Sequence, residues 1–293
     1  MAKVYVKFPK TGLGNMMLVW ARGLVFARIN NIEEVTSSWW GLHWGALLRR
    51  EKKNRLYWKY FIETPLWKRL AFKVYVILFR VEYDPPINKC KQLTDKKIFI
   101  FNKVVRDNDL FKDIRNYKDL IELELHKILH PHLKFKLLKY SFPVISIHIR
   151  RGDFTIGNQI TPLSFFIEGI NIIREILEKD VPITIFTDAK KEEISELLEL
   201  PQIFLADEKP DILDIILMSK SKVIMLSQSS TFSYWAAFLS EAIVIRPIND
   251  WQYQIRDSKD NSAYKEIKWN YNYPASSQQL KEAIVLRKNL YEF

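Results

Sequence analysis

His148, Arg150, Arg151 and Asp153 are the residues of this chain best placed by type and spacing to do chemistry. They lie in the run Val144-Ile-Ser-Ile-His148-Ile-Arg150-Arg151-Gly152-Asp153-Phe154. A buried strand followed at once by charged side chains delivers them at its C-terminal end, where ligands bind in open α/β sheets. Two adjacent guanidiniums are fixed positive charges whose donor forks grip phosphate oxygens in pairs, which suits a pyrophosphate. Gly152 lets the backbone turn sharply behind them. On this run alone, a salt-bridged and solvated strand end fits equally well.

Other strand ends shift that balance. Thr187-Asp188 closes a second apolar run, and Ser227-Gln228-Ser229-Ser230-Thr231 closes a third and leads into a helix. In a parallel sheet such ends share one rim, and the free N–H groups of a helix's first turn attract anions. Arginines from one strand and a helix N-terminus from another can therefore meet around one pyrophosphate. Each group also has a plainer reading: Ser229 to Thr231 as a helix cap, Asp188 as the cap of a helix near Lys191, His148 as a core histidine. No phosphate-loop, nucleophile-elbow or Cys/His metal spacing is present.

The elements that must carry these residues alternate regularly after Ser141. Strands are expected at Val144–Ile149, Ile183–Phe186, Ile203–Ala206, Val223–Leu226 and Ile243–Ile245. Helices between them are expected at Pro162–Glu178, Lys191–Leu200, Pro210–Ser219 and Thr231–Ser240. This grammar predicts a doubly wound parallel sheet. The chain also begins with a strand, Val4–Phe8, a turn containing Gly12 and Gly14, and a mostly apolar helix from Asn15, the expected N-cap, to Asn30. Met17 stands at the third glycine position of a dinucleotide fingerprint, so a tight turn is the better local reading. Two Rossmann-like halves facing a cleft follow, expected over residues 1–140 and 141–293 with Pro131 as a hinge.

Between the halves the pattern is irregular. Trp39, Trp40 and Trp44 suit either a core or a sugar-stacking wall, with the core the commoner fate. Leu66 to Tyr83 reads as one helix, and Tyr117 to Leu129 as another. Asp107-Asn108-Asp109 has the form that holds a metal on a nucleotide sugar, but its polar surroundings suit a solvated turn better.

At 48% hydrophobic and 27% charged residues, the 293-residue chain is globular and long enough for two domains. A single cysteine, Cys90, excludes an internal disulfide and fits a reducing compartment. The opening residues resemble a strand rather than a secretion signal, so a cytoplasmic protein is expected. The net charge of +11 attracts phosphates of any kind. Bases crowd the stretch from Arg49 to Arg80, opposed only by Glu51 and Glu63 and interleaved with aromatic residues. A surface resting on an anionic membrane has that composition, and so does a nucleic-acid surface. The apolar run from Ala71 to Phe79 is too short to cross a bilayer, which takes about 20 residues.

Taken together, these blocks resemble the α-1,2-fucosyltransferase family. His148-Ile-Arg150-Arg151-Gly152-Asp153-Phe154 is similar to its His-x-Arg-Arg-Gly-Asp-Tyr motif, and Ile185-Phe186-Thr187-Asp188 to its Phe-Ser-Asp-Asp element. Ser229-Ser230-Thr231-Phe232-Ser233-Tyr234-Trp235-Ala236-Ala237 resembles its Asn-Ser-Thr/Ser-Phe-Ser-Trp-Trp-Ala-Ala block, and Gly12-Leu13-Gly14-Asn15 its opening Gly-x-Gly-Asn. Ala189, Ser229 and Met16 depart from the family pattern. The resemblance implies a GT-B fold, GDP-fucose as donor, inversion at the anomeric carbon and no required metal or other cofactor. It implies that Arg150 and Arg151 hold the GDP phosphates, with His148 and Asp153 fixing them or facing the sugar. Ser229, Ser230, Thr231, Asp188, Gly12, Gly14 and Asn15 are implied to line the donor site. Asp153 is also the candidate base for an acceptor hydroxyl, with galactose O2 of a glycan or lipid-linked oligosaccharide as the expected target. Two other functions stay open on the residues: a metal-dependent transferase using Asp107 and Asp109, and a non-catalytic binder of nucleic acid or anionic lipid through Arg49 to Arg80.

Overall fold

The computed structural model describes residues 2–33, 35–39, 57–88, 97–105, 108–152, 160–257 and 266–290. The chain divides into two compact units, Met1–Lys139 and Tyr140–Phe293. Each has a two-layer or three-layer α/β construction around its own parallel sheet.

In the first unit β1 (Lys3–Val6), β2 (Val35–Ser37), β3 (Arg80–Tyr83) and β4 (Lys97–Phe101) form a sheet in the order β2-β1-β4-β3. Every pairing is parallel. The central helix α1 (Leu13–Ile29) is apolar on all sides and buried on all sides, as such a helix must be. It lies close on β1 because Gly23 has no side chain there; a Cβ would stand 2.7 Å from Val6 Cγ2. Its one buried cation, Arg22, is held by Asp113 through Nε at 3.2 Å and by the Lys103 carbonyl at 3.3 Å. Among its described residues the unit also holds helices α2 (Leu66–Leu78), α3 (Lys118–Ile128) and α4 (Pro131–Leu137).

Three expectations change here. Helix α1 is capped by Gly12, and Asn15 lies inside the first turn. The helix expected to reach Tyr83 stops at Leu78, where Phe79 turns extended, and the chain enters the sheet as β3. Phe79 and Val81 pack on a small cluster of Phe72, Ile98 and Ile100, so the sheet wins over helical continuation. Pro131 is the first residue of α4 rather than a hinge, at the position where its missing N–H is harmless. Strand β2 falls inside the stretch read as irregular. Trp39 is a core residue, stacked between Phe8 and Phe61 at 4.2 and 4.0 Å between ring centres. Trp40 and Trp44 lie outside the described residues.

The second unit has six parallel strands: β5 (Ile145–Ile149), β6 (Ile183–Thr187), β7 (Ile203–Leu205), β8 (Val223–Met225), β9 (Ile243–Pro247) and β10 (Glu266–Trp269). Their order is β10-β9-β8-β5-β6-β7, the doubly wound arrangement in which the winding reverses between β5 and β8. Helices α5 (Leu163–Leu177), α6 (Ser195–Leu198), α7 (Asp211–Ser219), α8 (Thr231–Leu239) and α9 (Pro274–Leu290) connect and follow the strands. The central strands are mainly apolar because helices cover both faces; every residue of β5, Ser146 and His148 included, is buried. Helix α5 approaches the sheet at Gly169, where a Cβ would overlap Met225 Cε and lie 3.3 Å from Trp269. The expected helix from Lys191 to Leu200 is a 3-10 turn, Lys191–Ile194, followed by the short α6.

Candidate active site

At the end of β5 the ladder to β8 stops at Ile147 and Met225, and side chains take over. Ser227 accepts the N–H of Arg150 and donates to the carbonyl of His148, both at 2.9 Å. On the other flank Thr187 donates to the Ile149 carbonyl at 2.7 Å and accepts the N–H of Ala189. These hydroxyls fix the backbone that presents the two arginines. Sequence reasoning placed Ser227 at the rim but gave it no role.

Asp188 organises the turn that follows. One carboxylate oxygen accepts the N–H of Arg151 at 2.7 Å, and the other meets Nη1 of Arg150 at 2.6 Å. Gly152 is required here on two grounds. Its φ is +25°, and a Cβ would lie 2.5 Å from Asp188 Oδ2. Asp188 therefore does not cap the following 3-10 turn, which is closed by Lys190 and Glu193 instead.

The two arginines, read in the sequence as a matched pair, are treated differently. Arg150 is part-exposed and ion-paired to Asp188. Arg151 is only 6% exposed, and its Nη1 donates to the carbonyls of Arg150 at 3.2 Å and Thr161 at 3.0 Å. Among the described residues no carboxylate lies within ion-pair distance of its guanidinium. Burial pulls Arg151 below its ordinary pKa, with Glu193 and Asp188 acting against that pull. A buried cation that touches carbonyl oxygens, with its nearest carboxylates beyond ion-pair distance among the described residues, favours an anion beside it. Thr161, which sequence reasoning missed, also accepts the Gln228 N–H through its hydroxyl at 2.9 Å, tying the Arg151 pocket to the end of β8.

His148 is 5% exposed, and its ring lies 5.3 Å from that of Phe232 in the first turn of α8. Burial, aided by Arg150, pushes its pKa down to about 3. It is therefore neutral near pH 7 and a weak base there. Its Nδ1 is buried without a hydrogen-bond partner among the described residues.

Helix α8 begins at Thr231 with Ser230 as N-cap, and the Ser230 side chain makes no capping bond. Among the described residues the N–H groups of Thr231, Phe232 and Ser233 meet no protein acceptor. Ser229 is in the left-handed region at φ 58°, and its N–H is taken by Asp250 Oδ1 at 3.1 Å. Asp250 is buried, paired with Arg246 at 2.8 Å, and accepts the Tyr234 hydroxyl, whose pKa burial and Asp250 together raise well above normal. Arg246 also pairs with Glu266 of β10. This network was not foreseen, although a charged residue inside the apolar strand β9 was the available signal.

His148, Arg150, Arg151 and Asp188 thus form one connected cluster, and Ser229, Ser230 and Thr231 adjoin it through Gln228 and Phe232. Gly12, Gly14 and Asn15 belong to the first unit, where the Leu13 N–H donates to the Tyr57 hydroxyl at 3.2 Å. Asp153 and Asp107 lie outside the described residues. Asp109 is ion-paired with Arg115 at 2.5 Å.

Residues 111–273, more than half of the chain, match glycosyl transferase family 11. The chain belongs to that family. This glycosyltransferase also resembles solved structures at low identity. One is the α-1,6-fucosyltransferase NodZ soaked with GDP-fucose, at 11% identity and a TM-score of 0.52, covering 87% of this chain and 98% of that one. Another is the fucosyltransferase NodZ from Bradyrhizobium, at 12% identity and a TM-score of 0.51, covering 82% and 94%. At such identity the likeness bears on the fold, a two-domain Rossmann-like architecture. No curated protein sequence matches this glycosyltransferase significantly.

Proposed function

We propose that this glycosyltransferase moves fucose from GDP-fucose to a hydroxyl of a glycan or lipid-linked oligosaccharide, inverting the anomeric carbon, with galactose O2 as the accepting position. The second unit binds the donor and the first serves the acceptor. The observation that carries the reading is Arg151, a buried guanidinium with no carboxylate in ion-pair distance among the described residues, tied through Thr161 to the segment that leads into α8. Its family membership supports a sugar nucleotide as the occupant, and the NodZ structure soaked with GDP-fucose is similar in fold.

As the glycosidic bond breaks, negative charge builds on the departing GDP. A guanidinium and N–H groups already aimed at that charge stabilise the transition state more than the ground state. Arg150 and Arg151 take the phosphates in this reading, Asp188 orients both, and Asp153 accepts the acceptor's proton. Neutral His148 shapes the pocket as an uncharged wall. The single cysteine is consistent with a cytoplasmic enzyme.

The test is GDP release from GDP-fucose with a panel of galactosides, read by mass spectrometry. Arg151→Ala should cut turnover by about 100- to 1,000-fold with the thermal melt preserved. Full activity in Arg151→Ala would refute the assignment.

A further inference from the structure

Helix α2 is apolar on the wrong side for a protein helix. Its inner face packs through Phe72, Tyr75 and Val76 on Tyr5, Ile98 and Ile100 of the sheet. Its outer face carries Leu66, Trp67, Leu70, Val74, Ile77 and Leu78, all exposed, with Ile77 at 84% and Leu78 at 68%. Residues recurring at three and four positions share one side of a helix, so these six form a continuous stripe. An exposed stripe of this kind marks a binding surface.

Among the described residues, the acidic groups nearby are each engaged by a base, and further bases stand beside them. Glu63 is engaged by Arg69 at 3.6 Å, and Glu82 is ion-paired with Lys97. Lys59, Lys73 and Arg80 are exposed, and among the described residues no carboxylate lies within ion-pair distance of them. Two lysines lie over tryptophans that face outward, Lys68 over Trp67 and Lys59 over Trp58, each at 5.4 Å from a ring centre. Exposed tryptophan with lysine beside it, on a helix with an apolar stripe, is the chemistry of the boundary between headgroups and acyl chains. Thirteen residues rise roughly 20 Å, short of a bilayer's hydrocarbon core, so the helix can lie in that boundary but cannot cross it.

We propose that the outer face of α2 docks on an anionic lipid bilayer, with its apolar stripe among the acyl chains and Lys73 and Arg80 at the lipid phosphates. A second copy of the chain is the poorer partner, because pairing two such faces sets cations against cations. An anionic surface meets both the stripe and the charge. The inference is independent of the donor assignment, since its readout is lipid binding and not turnover.

The experiment is sedimentation of the full chain with vesicles of phosphatidylcholine alone and of phosphatidylcholine with phosphatidylserine. Binding is expected to the mixed vesicles, to weaken with salt, and to be far weaker on the neutral ones. Leu70→Glu with Ile77→Glu should lower partitioning by more than about tenfold. Lys73→Gln with Arg80→Gln should lower it roughly tenfold or more on the mixed vesicles only. Circular dichroism checks that the variants fold, and the milder pair Leu70→Ser with Ile77→Ser replaces the glutamates if they do not. The proposal is overturned by absence of binding, by equal binding to both vesicles, or by stripe variants that bind like the parent. It is equally overturned if sedimentation velocity shows a dimer that the stripe variants dissociate.

Discussion

The carboxyl ends of β1 and β5 have the same topology and opposite chemistry. Each is a central strand of a parallel sheet, handing the chain to a turn in which glycine stands close by. At β1 the helix that follows finds a neutral partner: the Leu13 N–H meets the Tyr57 hydroxyl, and that helix's buried cation, Arg22, is matched by Asp113 and lies 3.8 Å from Asp84. At β5, among the described residues, Asp188 is ion-paired with Arg150, and the buried Arg151 is held by carbonyls. The strand, turn and helix pattern therefore specifies architecture, and the charged groups carried at its end specify what can bind.

The contrast can be tested most severely at Asp250, whose carboxylate holds Ser229 and Arg246 behind the charged end. Asp250→Ala should cost about 3 kcal/mol or more, measured by urea unfolding, because it strips a buried cation of one of its two carboxylates. A loss near zero would mean that the second unit's polar frame is dispensable.

Next in size is His148. Its folded pKa of about 3 lies below the ordinary 6.5, so between these values the unfolded chain binds the proton more readily. This contribution is complete above pH 6.5 and is lost as the pH falls, by up to about 3 kcal/mol at pH 4. His148→Gln should flatten that slope relative to the parent in unfolding curves from pH 7 to 4. Unchanged curves would show that the end of β5 is wetter than its burial implies.

Asp188→Asn sharpens the comparison at the level of activity. It keeps the shape of the turn but weakens the hold on Arg150, and kcat/KM for GDP-fucose should fall about tenfold to a hundredfold with a small change in thermal midpoint. Smallest is Tyr57→Phe at the neutral end, expected to cost about 1 kcal/mol of stability and to leave donor affinity untouched. If Tyr57→Phe weakened the donor as much as Asp188→Asn, the division of labour between the two ends would fail.

Much of this was readable in the residues for a physical reason. Strands buried on both faces, such as Ile145–Ile149, are built mainly from apolar residues, and a charge placed directly after one announces a rim. Arg150, Arg151 and Asp188 were found that way. Elements whose identity rests on tertiary pairing were not legible. Val35–Ser37 is three residues long and becomes a strand only beside β1, and Glu266–Trp269 alternates charge with bulk at a sheet edge. The inequality of Arg150 and Arg151 was also invisible, because adjacent residues in sequence say nothing of which guanidinium is turned inward. Thr161 gave no signal at all, since its role depends on a carbonyl and a hydroxyl meeting two other segments.

The bond from Arg246 to Glu266 has a consequence for how the chain is made. Arg246 enters the sheet on β9, whereas Glu266 arrives only with β10, at the edge and later in synthesis. Until that last strand docks, Asp250 is the guanidinium's only carboxylate partner among the described residues, and the N–H groups of Ile255 and Arg256 lack the acceptor that Glu266 supplies. A nascent or truncated chain ending before Glu266 would carry five of the sheet's six strands with an unfinished charge at its margin. The final strand thus closes the charge network, and proteolytic loss of the C-terminal segment should weaken the second unit as a whole rather than fray one edge of it.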